Sequence, residues 1–155
     1  MKTTIMAAAV AALLTVSAWA DTSSNEVAYA ESEIDVYVTG RIKMYNGGRT
    51  ATRIRAGAFA ECRELETFNA EWAETVGVGA FRGCVALETV YVGAVTNLTG
   101  WTAMFAGCPR LKDVHLPLVG VDAAKDAGLP FGATSRTVTF HLADGDCDRE
   151  GHRVH

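Results

Sequence analysis

The chain has 155 residues, 14 basic against 18 acidic, a net charge of −4 at pH 7 and 49% hydrophobic residues. That is enough apolar material for one domain. The acidic balance speaks against nucleic acid or an anionic membrane as main partner, because phosphate binding needs clustered Lys and Arg.

Residues 1–20 open with Met1-Lys2, continue through the apolar run Ile5–Leu14 and end in Ala18-Trp19-Ala20 before Asp21. A basic start, a short apolar stretch and an Ala-x-Ala exit describe a secretory signal peptide. A transmembrane anchor is the competing reading. The run is short and Ala-rich for that role, and no second apolar stretch of about 20 residues follows. The expectation is an exported chain, in the periplasm, at the cell surface or secreted, with no membrane span after cleavage. No cysteine lies near the cleavage site, so lipid anchoring there is not expected.

Residues 21–49 read as a loose leader followed by an N-terminal cap. Ile34-Asp35-Val36-Tyr37-Val38 alternates as a strand does, Arg41–Tyr45 suits a second short strand, and Asn46-Gly47-Gly48 suits a turn. Arg41, Lys43, Arg49, Arg53 and Arg55 form a small basic cluster, read as a solvated edge rather than a binding patch.

Residues 50–142 are organised by one phrase written three times. Phe59, Cys62, Leu65 and Phe68 recur as Phe81, Cys84, Leu87 and Val90, and again as Phe105, Cys108, Leu111 and Val114. The offsets are 0, +3, +6 and +9, and the copies are 22 and then 24 residues apart. A fixed period in this range is the signature of a solenoid. Small residues around the Phe allow a helical or 3₁₀ turn. The pairs Phe68/Ala70, Val90/Val92 and Val114/Leu116 alternate with polar neighbours, as in a half-buried strand. Each coil buries one side of itself and its neighbour covers the other. The strands are expected to stack into a narrow parallel sheet about 4.8 Å apart.

The phrase resembles the leucine-rich repeat of the BspA-like bacterial surface proteins, whose core runs close to I-x-x-x-A-F-x-x-C-x-x-L-x-x-I-x-L-P. The stretches Ile54 to Phe68, Val76 to Val92 and Leu98 to Pro117 match it best. The resemblance implies an α/β fold, a short leucine-rich-repeat solenoid wound as a right-handed superhelix with capped ends. It also implies adhesion-like binding of host or neighbouring-cell proteins. The third copy departs from the pattern by about two extra residues near Gly100-Trp101, so register is loosest between Val92 and Ala103.

After the third copy, Val121–Gly128 reads as a short helix ending at Gly. Thr137–Leu142 alternates again and suits the strand of a fourth, degenerate coil that lacks the Phe-x-x-Cys phrase. Residues 143–155 are polar and read as a frayed C-terminal tail, or as the start of something longer. Asp144-Gly145-Asp146-Cys147-Asp148 lacks the spaced ligands of a calcium loop and reads as a turn.

Cys62, Cys84 and Cys108 hold one place in successive coils and should form a buried column. Export makes disulfides a fair alternative, but parallel side chains in a ladder favour free thiols acting as small hydrophobes. Cys147 lies outside the phrase and is either a free exposed thiol or the partner of a terminal coil.

With Leu, Val and Phe pointing inward, the residues between them point out. One outward column is Asn69, Tyr91, His115 and His141. Its neighbour is Thr67, Thr89, Asp113 and Thr139. These eight are the candidate binding residues, and the expected partner is a protein. His115 and His141 on adjacent strands could chelate a metal, but no carboxylate or cysteine joins them at ligand spacing, so neither metal nor cofactor is expected. Asp113, His115 and Thr89 superficially resemble an acid–base–nucleophile set, but an open sheet face supplies no cleft and no oxyanion donors. The chain carries no recognisable hydrolase, zinc-protease or phosphate-loop motif. The expectation is therefore a non-enzymatic binding module, with self-association through the coil ends as the structural alternative.

Overall fold

The computed structural model describes residues 26–28, 33–34, 43–46 and 52–154. The apolar leader at 1–20, the expected strand residues 35–38 and the glycine turn at 47–48 lie outside the described residues. Among the described residues no helix is long and apolar enough to cross a membrane.

The architecture is a β-solenoid. Strands β1 (Glu26–Ala28), β3 (Met44–Asn46), β5 (Thr67–Ala70), β7 (Thr89–Val92), β8 (Asp113–Leu116), β9 (Thr139–Leu142) and β10 (Gly145–Asp148) form one seven-stranded sheet in that order. A second ladder of three two-residue strands, β2 (Glu33–Ile34), β4 (Arg53–Ile54) and β6 (Thr75–Val76), runs along another side of the coils. Among the described strands, all pairings are parallel except β9 with β10.

The three-residue spacing of the phrase has a direct cause. The amide N–H of Cys62 donates to the carbonyl of Phe59, and that of Leu65 to the carbonyl of Cys62. The pattern repeats from Phe81 to Leu87 and from Phe105 to Leu111. These are i→i+3 turns, in which residues three apart eclipse one another on one face. Phe, Cys and Leu therefore all face inward, and all nine are buried. The chain then straightens into a strand whose alternate residues continue the core: Phe68 and Ala70, Val90 and Val92, Val114 and Leu116.

Register makes the coils stack. Tyr45, Phe68, Val90, Val114 and Phe140 are successive partners across the larger sheet. Aromatic rings fill the interior: Tyr45 stacks on Phe68 at 4.8 Å, and Phe81 stacks on Phe105 at 5.7 Å. Dispersion over such contacts and the removal of apolar surface from water hold neighbouring coils together. On the turn side the backbone joins coil to coil, as where Phe59 N–H donates to Ala80 and Glu61 N–H to Arg82. There the chains run so close that a Cβ on Gly77 would fall inside the backbone of Arg55 and Ala56.

The thiol column is present as reduced, buried cysteines. The Cys84 thiol donates to the Phe59 carbonyl and the Cys108 thiol to the Phe81 carbonyl, each at 3.0 Å. Each sulfur thus ties its coil to the one before. Burial pushes the Cys62 and Cys108 thiols up to about 11, and burial first, then the neighbouring sulfurs, pushes Cys84 higher still.

Several sequence expectations need revision. The leader is not loose throughout, since Glu26–Ala28 pairs in parallel with β3. The coiled part therefore begins before residue 50. Ile34 pairs with Ile54 in the small ladder. The extra length near Trp101 is taken up at a three-residue 3₁₀ turn, Trp101–Ala103, which puts the indole into the core against Phe105 and Phe131. The fourth coil lacks the Phe-x-x-Cys phrase, as expected, yet it still places a Phe inward: Phe131 is fully buried and meets Phe140 edge-on at 5.5 Å, as Phe59 meets Phe68 at 4.9 Å.

The frayed tail is also corrected. Residues 145–148 turn back as β10 and cover the last parallel strand, with Cys147 buried opposite Phe140. Cys147 is therefore neither exposed nor bridged. The preceding turn places Asp144 so that its carboxylate accepts the Val121 N–H at 2.9 Å. This satisfies one orphan donor at the start of helix α1 (Val121–Asp126). Gly128, with φ of 88°, ends that segment as expected.

Candidate functional site on the strand face

Strand alternation decides what this face presents. In β5, β7, β8 and β9 the second and fourth residues are buried, while the first and third are half-buried and point out. Thr67, Thr89, Asp113 and Thr139 are consecutive Cα partners, and so are Asn69, Tyr91, His115 and His141. The structure thus brings all eight candidate residues onto one surface in two in-register columns.

The rings of the second column interact. Tyr91 and His115 lie 5.7 Å apart at a tilt of 39°, and His115 stacks on His141 at 4.1 Å with planes 9° apart. Asn69 closes the row, its Oδ1 buried without a hydrogen-bond partner among the described residues. Beside this face Glu88 accepts from Arg110 at 2.7 Å and from Lys112 at 2.8 Å. The hydrogen bond from Lys112, then the two cationic charges, hold its carboxyl below the usual range.

Carboxylates do join the histidines, contrary to expectation. His141 Nε2 lies 2.9 Å from Asp113 Oδ1, and its Nδ1 lies 3.0 Å from Asp146 Oδ1. Asp113 reaches diagonally from β8, and Asp146 stands directly opposite His141 on β10. Sequence reasoning missed Asp146 because its position depends on the antiparallel return of the chain. The alternation of Asp144, Asp146 and Asp148 around buried Cys147 was the available signal. The carboxylate of Asp113 engages His141 rather than His115 on its own strand, so the Asp113–His115–Thr89 set is not the pairing that forms.

The charges sort the two histidines. Burial pulls His141 down, but the hydrogen bonds to Asp113 and then Asp146 outweigh it and hold the ring above its ordinary pKa. For His115, burial and then the neighbouring His141 charge dominate, and its pKa is lowered.

Comparison with known proteins leaves the site to be read on its own. No family model matches the chain, and neither a curated protein nor a solved structure matches it significantly.

Two surface hollows lie elsewhere. One, of 450 Å³, is lined in part by Thr96, Leu98, Thr102 and Asp126. The other, of 560 Å³, is lined by Leu129, Pro130, Arg136, Asp148, Arg149 and Glu150. Neither contains a residue of the two columns. The basic cluster is solvated where it is described, with Lys43, Arg53 and Arg55 all exposed.

Proposed function

We propose that the chain is a non-enzymatic protein-binding module, exported from the cell, that engages its partner through the outward face of β5, β7, β8 and β9. The observation that carries this reading is the pair of in-register columns. They offer a flat array of short polar side chains beside a row of rings at Tyr91, His115 and His141. Aromatic rings with polar edges supply contact area at little entropic cost and retain hydrogen-bonding capacity. The resemblance to BspA-like leucine-rich repeats supports an adhesion-like role at the cell envelope. With so few coils the footprint is small, so strong attachment would come from several copies acting together.

The test is a paired capture experiment. The chain and a Tyr91→Ala, His115→Ala, His141→Ala variant of equal circular dichroism are immobilised and exposed to envelope extract and to extracellular-matrix proteins. Retention of a partner by the unmodified chain alone is the expected result. Equal retention by both would move the interface off this face. Absence of any partner, with concentration-dependent size in solution, would favour a self-assembling structural role instead.

A further inference from the structure

We propose that Asp113, His115 and His141 form a binding site for one divalent transition-metal cation of the Zn²⁺ class, with Asp146 as the carboxylate that orients His141. The site goes beyond the protein-binding reading and does not rest on it.

The fold assembles the ligands. Asp113 and His115 are two residues apart on β8 and so share its outer face. His141 is the direct partner of His115 on β9. One ligand atom from each of the three lies within 4.8 Å of the others. Two imidazoles and a carboxylate suit Zn²⁺ and its first-row neighbours, whereas Ca²⁺ and Mg²⁺ take oxygen ligands almost entirely. Three protein ligands leave a coordination position for water or for a donor from another molecule.

Asp146 supplies what a ligating histidine needs behind it. The Nδ1–H of His141 donates to Asp146 at 3.0 Å, which fixes the tautomer and leaves Nε2 as the metal-binding nitrogen. That same Nε2 meets Asp113 Oδ1 at 2.9 Å. A cation binding here takes the place of the proton shared between those two atoms. The ring nitrogens of His115 have no hydrogen-bond partner among the described residues. His115 and His141 are stacked with planes 9° apart, so their in-plane lone pairs run side by side, and binding one cation requires a ring to turn about χ2, a broad torsion.

A second cluster, Asp148, Glu150 and His152, is less suited. It offers one imidazole, its Glu150 and His152 are exposed, and Asp148 Oδ1 is already engaged by the backbone N–H groups of Glu150 and His152.

The test is a calorimetric Zn²⁺ titration of the tag-free full chain after chelator treatment, with Co²⁺ absorption as the second readout. One Zn²⁺ per chain is expected, with no comparable heat from Ca²⁺. Asp113→Asn and His115→Ala should each weaken binding about tenfold or more, and Asp146→Asn by about 10–100-fold. His152→Ala should leave affinity unchanged. Asp113→Asn keeps side-chain size, so it reads the ligand set even if His115→Ala disturbs the fold. Three results would overturn the site: no Zn²⁺ binding, affinity indifferent to Asp113→Asn and His115→Ala, or a thiolate-to-cobalt charge-transfer band placing the ion on cysteine.

Discussion

The imidazole rings of His115 and His141 lie face to face, 4.1 Å between centroids, yet only His141 has carboxylates at both ring nitrogens. Two protons on such a pair would repel, so the ring with the anionic partners holds its proton and the other gives it up. In chelator-treated protein, ring NMR signals should show His141 titrating above 6.5 and His115 below it. Asp113→Asn should lower the His141 midpoint. The linked stability effects have opposite signs. The His141 contribution is fully present below the unfolded value of about 6.5 and is lost as pH rises through its folded pKa. The His115 contribution is present above about 6.5 and is lost as pH falls through its folded pKa.

The cysteine column predicts chemical silence. All four thiols are buried, and attack on a thiol reagent requires thiolate. At pH 8 the folded chain should react only as fast as it opens, and all four cysteines should react at once in denaturant. Raised folded pKa values also set an alkaline limit. Between the ordinary 9.0 and about 11, the unfolded chain holds fewer protons on Cys62 and Cys108 than the folded chain does. Stability should fall with rising pH across that window, as denaturant midpoints at stepped pH would show.

One backbone position is shared by three coils but filled differently. The residue two after the phrase Phe has positive φ each time: Glu61 at 62°, Gly83 at 77° and Gly107 at 79°. A left-handed conformation costs a side-chain-bearing residue roughly 1–2 kcal/mol. Glu61→Gly should therefore stabilise the chain by about 0.5–1 kcal/mol after the added unfolded-state freedom of glycine is subtracted. The lost Arg63–Glu61 pair, 3.6 Å apart and exposed, contributes little. Gly107→Ala should cost about 1–2 kcal/mol, because its Cβ would also press to 3.2 Å from Gly83. Urea midpoints of the two variants should move in opposite directions.

Phe131 tests whether the fourth coil shares the core. It is fully buried between Trp101 and Phe140. Phe131→Ala should cost about 3–5 kcal/mol, like Phe81→Ala, as expected for truncating a core aromatic. A cost near that of a surface change would mean the repeat ends at the third coil.

The written phrase made the middle of this fold legible, because an i→i+3 turn repeats every three residues and a strand every two. Both periods appear openly from Phe59 to Leu116. The eight outward residues followed from the same counting. The ends were harder. In the fourth coil the inward positions shift to Phe131, Ser135, Val138 and Phe140, so a search at fixed offsets passes over them. At the N-terminus, β1 and β3 carry no phrase, and Val27 and Tyr45 are register partners only 18 residues apart. The carboxylate behind His141 comes from a change of strand direction, which side-chain periodicity does not encode.

That reversal gives the molecule a clasp at its C-terminal end. In a stack of coils each unit leans only on its neighbours, so opening starts at an end and runs inward. At the C-terminal end, β10 covers β9, Asp144 caps α1, and the backbone of Arg153 pairs antiparallel with that of Cys147. Loss of the last coil must therefore break a hairpin, a helix start and a buried thiol contact together. Under heat or force, opening from this end should accordingly be all-or-none, and the histidine pair beneath the clasp should come apart only after the whole clasp has opened.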